Sequence, residues 1–301
     1  SVGTVISIDT FTGTDKKIID KNEQGPNAPE KKIIAEDKTT INATDSNDAK
    51  VGSTETFRVS YNATNWVTKE GENGTTTTQV KNFYIKDTPK GLDIDVDTVE
   101  VTVNGELLVN TEDNIAYTAT KDNNGTLIIT IPWVDDENNE SLYNPISDEE
   151  ATTANVNIPV VVTYDAKITA DAATQVAENE VQIYYNHDSA SSTDGVEVTD
   201  PDNPTETTTY TYKFQLNKTD GTNPLKGAKF ELHDGGTPVA FVVENGATYR
   251  LATDDDTTTT TTTTIDMTEN ATVYITGLDN KSYTLKETKA PDGYNLAADT
   301  T

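Results

Sequence analysis

The side chains able to do chemistry in this 301-residue sequence are mainly carboxylates and lysines, because it holds no cysteine and only two histidines. Asp93, Asp95 and Asp97 alternate along one face of a predicted strand and could hold calcium. They lack the Gly turn and the bidentate Glu of a calcium loop, so a solvated acidic face is the better reading. His187, beside Asp188, and His233 are separated in sequence and have no cysteines to complete a zinc set. No Gly-x-Ser-x-Gly elbow, phosphate loop or dinucleotide fingerprint is found. Trp66 and Trp133 read as packing residues. No metal or cofactor is therefore expected, and a secreted enzyme finds no candidate site.

The elements that must position such side chains are short strands. Thr is abundant, and Val, Ile and Tyr recur in alternating runs that suit a half-buried pleated surface. Val99, Val101 and Val103 repeat with period two, which marks one buried face. Strand-like runs occur at 31–35, 55–61, 81–87, 99–109, 125–133, 155–168 and 179–186. A second series lies at 210–220, 228–234, 238–246, 271–278 and 282–288. Many short strands separated by polar turns predict an all-β sandwich or barrel. Four regions are expected: an N-terminal strand and linker (1–28), a first β-sandwich (29–199), a polar linker (200–209) and a second β-sandwich (210–301). The Asp254–Thr264 run is low in complexity and reads as a solvated loop. No strong helix signal appears.

Composition excludes several partners. The formal charge of −29, from 22 basic and 51 acidic residues, repels nucleic-acid phosphates and anionic lipid. No apolar run is long enough to span a bilayer, so membrane insertion of this segment is not expected. Without cysteines, disulfides cannot brace the domains.

Two segments carry a family resemblance. PLKGAKFEL (224–232) resembles the opening of a Cna B-type domain. YTLKETKAPDGY (283–294) closely resembles the E-box of Gram-positive, sortase-assembled pilins and wall-anchored surface proteins. Together they cover about 210–296. The first domain resembles the preceding Cna A-like pilin domain, through its early lysines, IKDTPKGL (85–92) and NEVQIYYN (179–186). The resemblance implies tandem immunoglobulin-like β-sandwiches, Cna A-like then Cna B-type. It also implies an intramolecular Lys–Asn isopeptide bond in each, assisted by an acid from a middle strand.

Carried onto this sequence, the first site comprises Lys31 or Lys32, Asp87 as the acid and Asn179 as the acceptor, with Asn186 a second candidate acceptor. The second site comprises Lys218 and Glu287. Phe214, Leu216 and Lys218 alternate, which turns the lysine inward. No convincing last strand follows Leu296 to supply the second asparagine.

Such a bond has definite physical requirements. A lysine at its ordinary pKa of about 10.4 is protonated and not nucleophilic. Burial among apolar side chains disfavours its charge, and also disfavours the charge of a neighbouring carboxylate. A neutral amine can then attack the carboxamide while the acid polarises the carbonyl and shuttles a proton. Ammonia leaves and an amide remains. Folding supplies the proximity. The reaction runs once per domain, so the protein is not expected to be an enzyme.

The resemblance implies an extracellular structural subunit of a cell-wall-anchored pilus, a backbone pilin supporting adhesion. Its partners would be neighbouring pilin subunits joined by sortase, with a host matrix protein or glycan as a further partner. The family's Tyr-Pro-Lys-type linking motif is absent; of Lys16, Lys17 and Lys21, Lys17 is the candidate intersubunit lysine. The alternative function is the stalk or ligand-binding region of a wall-anchored adhesin.

Overall fold

Period-two burial accounts for the long strands. Phe57, Val59, Tyr61 and Ala63 are buried along Thr54–Thr64, and Ile158 to Ile168 repeats the pattern along Val156–Ile168. Alternation of this kind turns every second side chain to one face. A computed structural model of the chain describes residues 25–36, 38, 43–71, 74–111, 115–143, 156–188, 193–200, 202–203 and 205–301. The architecture is all-β, as the sequence predicts.

In the first sandwich, one sheet runs in the order Asn27–Ile34, Thr54–Thr64, Val156–Ile168, Leu92–Val103, Glu106–Leu107. The facing sheet runs Ser46–Asp48, Glu206–Tyr210, Ala177–Asn186, Asn82–Lys90, Leu127–Pro132, Thr118–Lys121, with Val196–Glu197 paired to Ala177–Asn186. Their inner faces meet in an aliphatic and aromatic core. Trp133 is fully buried there, with its edge against Phe83 and its indole N–H donating to Asn65 Oδ1 at 2.7 Å. Trp66 is exposed instead.

Two local features differ from the sequence reading. The run 99–109 is not one strand: Leu92–Val103 turns back at Asn104–Gly105 into Glu106–Leu107. Both turn residues have positive φ, +55° and +80°, the backbone of a tight two-residue hairpin that Asn–Gly favours. The stretch 200–209, expected as a linker, contains most of the strand Glu206–Tyr210. That strand pairs antiparallel with Ala177–Asn186 and parallel with Ser46–Asp48. Thr207 and Thr209 face inward there, and the Thr209 hydroxyl donates to buried Glu55 at 2.5 Å. A strand whose inward residues are threonines gives no apolar alternation to read.

A single residue, Thr211, separates that strand from Tyr212–Asn217, the first strand of the second sandwich. One sheet of this sandwich runs Tyr212–Asn217, Thr272–Leu278, Thr248–Leu251, Phe241–Val243, Thr261–Thr262. In the other, Ala228–Asp234 pairs with Thr237–Pro238, Ile265–Met267 and Thr284–Lys289. The two sandwiches touch directly. The Val51 amide donates to Gly277 O at 3.0 Å, the Tyr212 hydroxyl to Asp48 at 2.8 Å, and Lys167 pairs with Asp255 at 2.8 Å.

The Asp254–Thr264 segment is largely exposed, as the sequence predicts, but its Asp256 is held in place. Asp256 takes a bidentate clasp from Arg250, at 2.7 and 3.1 Å, and accepts the Thr253 amide. The Arg250 hydrogen bond leads in holding Asp256 down to about 2. A depressed folded-state pKa stabilises the fold at pH above the unfolded value and loses that contribution as pH falls toward 2. Asp256→Asn should therefore lower the urea midpoint at pH 7, and the difference from the parent should shrink as pH falls through about 2.

Candidate functional site

Four inward-facing side chains from four strands meet at the centre of the first sandwich. Lys31 lies on Asn27–Ile34 and Tyr164 on Val156–Ile168, both in one sheet. Asp87 and Asn179 come from the neighbouring strands Asn82–Lys90 and Ala177–Asn186 of the facing sheet. Register sets Asp87 opposite Val181 and Asn179 opposite Pro89, so acid and amide are diagonal neighbours on one face. Thr88 and Pro89 continue the strand, so Asp87 does not cap a turn. Phe83, Ile85 and Asp87 alternate inward together, which is why the acid is buried.

All four side chains are at most 1% exposed. The Lys31 amine donates to Asp87 Oδ2 and, at 2.6 Å, to the Tyr164 hydroxyl. It sits over the Phe57 and Tyr164 rings, 5.4 and 5.3 Å from their centroids. The Tyr164 hydroxyl donates to Asp87 Oδ2 at 2.6 Å and accepts from Asn179 Nδ2 at 3.0 Å. One hydroxyl oxygen therefore links amine, acid and carboxamide. Burial pushes the Lys31 amine below its usual range against the opposing pull of Asp87. Burial, reinforced by Asp87, pushes the Tyr164 hydroxyl well above its own. Asp87 Oδ1 and Asn179 Oδ1 are buried without a hydrogen-bond partner. Unsatisfied polar atoms in a core are costly, and each calls for an explanation.

The alternatives lie elsewhere. Lys32 faces outward to Asp45 at 2.6 Å. Asn186, at the opposite end of its strand, bonds Asn82 at 3.0 Å. Sequence reasoning missed Tyr164, although the inward series Val160, Val162, Tyr164, Ala166 announces a hydroxyl in the core.

The second sandwich brings Lys218 and Glu287 together across its two sheets. Lys218 Nζ lies 2.8 Å from Glu287 Oε1, an ion pair without the alignment of a hydrogen bond. The Phe230 ring lies under the amine at 5.9 Å. Glu287 is 4% exposed, and its Oε2 accepts the Ala297 amide at 2.6 Å. Beyond Leu296, where no strand was expected, Thr300 makes a two-bond antiparallel bridge to Leu285. Lys17 lies outside the described residues. His187 and His233 bond the backbone carbonyls of Gln79 and Gly236. No cluster of metal-ligating side chains occurs among the described residues, and Asp93, Asp95 and Asp97 face solvent.

Comparison with known proteins agrees with this architecture. Residues 212–301 match the family model described as SpaA, prealbumin-like fold domain. No curated protein sequence matches the chain. The 35 kDa C-terminal fragment of the major pilin GBS80 of Streptococcus agalactiae superposes with a TM-score of 0.60 at 17% identity, covering 92% of this chain and 90% of that one. The T6 backbone pilin of Streptococcus pyogenes gives 0.53 at 18% identity over 91% of this chain and 51% of its own length. The pilus backbone RrgB of Streptococcus pneumoniae gives 0.53 at 14% identity, covering 91% and 92%. Residues 212–301 thus match the SpaA prealbumin-like fold model, and the chain shares the fold of these major pilins.

Proposed function

We propose that this protein is a structural subunit of an extracellular pilus, a backbone pilin whose first domain is locked by a bond between Lys31 Nζ and Asn179 Cγ. The observation that carries the reading is the burial of amine, acid and carboxamide on one hydroxyl in the centre of the sandwich. A core normally excludes three such groups; here strands from both sheets deliver them to one point. The Asp87 carboxylate takes a proton from the Lys31 ammonium, the amine so formed attacks the Asn179 carboxamide, and ammonia departs. The link then ties the two sheets covalently. It closes a loop of roughly 150 residues, which contributes about 5 kcal/mol through the unfolded state. Unlike a disulfide it needs no oxidant and resists reduction. The self-reaction occurs once, so this reading assigns no turnover.

Lys218 and Glu287 are the matching amine and acid of the second domain. Assembly with neighbouring subunits through sortase, wall anchoring and a role in adhesion belong to the same proposal, as does Lys17 as the linking lysine. The test is peptide mapping of the purified chain. A branched peptide joining the Lys31 and Asn179 segments, lighter than their sum by one ammonia, is expected. Recovery of both segments as separate, unmodified peptides would overturn the cross-link.

A further inference from the structure

We infer that Tyr164 is the proton relay of the Lys31–Asn179 reaction, carrying the acid's proton to the departing nitrogen. This inference rests on the cross-linking reading above and assigns a role to a fourth residue. Among the described residues, its hydroxyl is the one group that touches nucleophile, acid and leaving nitrogen together, at 2.6 Å to Lys31 Nζ, 2.6 Å to Asp87 Oδ2 and 3.0 Å to Asn179 Nδ2. The ring is fixed by stacking on Phe57, centroids 5.6 Å apart and planes 20° from parallel. The hydroxyl is therefore held in place while its proton can turn.

The steps balance as follows. Lys31 begins as an ammonium and gives one proton to Asp87, leaving an amine and a carboxylic acid. Asp87, until then an acceptor from Tyr164, becomes a donor to it. The Tyr164 O–H is released to point at Asn179 Nδ2, and the hydroxyl's donor direction reverses. The amine lone pair bonds to Asn179 Cγ. The proton that Nζ sheds returns to Asp87, while the proton Asp87 held passes through the Tyr164 oxygen to Nδ2. The Cγ–Nδ2 bond breaks with its electron pair on nitrogen, and ammonia leaves. Of the three ammonium protons, one stays on the new amide, one remains on Asp87 and one replaces the hydroxyl proton that Tyr164 gave to the departing nitrogen. Tyr164 thus ends with a single proton, and no oxidant or cofactor is consumed.

The experiment follows bond formation by intact mass during cell-free synthesis of the full chain. Three forms are compared: parent, Tyr164→Phe, and a chain with 3-fluorotyrosine at position 164. Tyr164→Phe keeps the ring stack and should slow ammonia loss about 100-fold, the scale of a lost acid–base group. The fluorinated residue keeps a hydroxyl and should restore bonding to near the parent rate. To separate relay from scaffolding, Tyr164→Phe is also placed in an Asn179→Ala chain, which cannot bond; its melting temperature should fall by only about 5 °C, the loss of the hydroxyl's bonds to Lys31 and Asp87. Bonding by Tyr164→Phe at the parent rate would sink the relay and leave the cross-link standing. A large fall in melting temperature in the Asn179→Ala background would reduce Tyr164 to a packing residue. A parent chain that never loses ammonia would overturn both readings.

Discussion

Asp87→Ala should keep the full mass of the unreacted chain and melt about 20 °C or more below the parent. Two losses combine. Without the acid no bond forms, and about 5 kcal/mol of loop-closure stabilisation disappears. The Lys31 amine, 0% exposed, is then left without its carboxylate, and breaking a buried pair from one side costs about 3–5 kcal/mol. Asn179→Ala separates the terms: it also prevents bonding but keeps the Lys31–Asp87 pair, so its melting temperature should fall by roughly half as much. Intact mass and calorimetry on the two variants decide the matter. Ammonia loss persisting in Asp87→Ala would mean that another group serves as the acid.

Gly277→Val should destabilise the second sandwich by about 2–6 kcal/mol and loosen its seat on the first. Gly277 has a φ of +83°, which a β-branched residue adopts only under strain. A Cβ there would stand 2.9 Å from Val51 Cγ2 and 3.2 Å from Cγ1, with Ala173 behind. Val51 is 2% exposed and cannot swing into solvent. The hydrogen bond that the Val51 amide donates to the Gly277 carbonyl would be pushed apart as well. Limited proteolysis should then cut near Thr211, where the parent resists. An unchanged digestion pattern and melting curve would show that the junction tolerates a side chain.

Much of the first site was readable from sequence because its parts sit in apolar alternation. Ile33 beside Lys31, Phe83 and Ile85 before Asp87, and Val181 and Ile183 after Asn179 each point the polar residue inward. Choosing between Lys31 and Lys32 needed the structure, since both keep the same spacing to an isoleucine. Tyr164 escaped notice because tyrosine in a strand is ordinary, and only the facing sheet reveals what its hydroxyl meets. The junction was hidden for another reason. Thr207 and Thr209 are polar by composition yet buried, satisfied by Glu55 and the backbone. Asp256 looked like part of a solvated acidic run because the Arg250 that clasps it precedes that run on another strand.

The single residue between Glu206–Tyr210 and Tyr212–Asn217 has a consequence for how the molecule bears load. The peptide backbone leaves one sheet and enters the next as nearly one ribbon, with no slack to pay out. Tension carried through Thr211 would meet hydrogen-bonded ladders on either side of it. Stretched singly between a bead and a surface, the molecule should extend as a stiff spring, without an early soft regime from the middle of the chain.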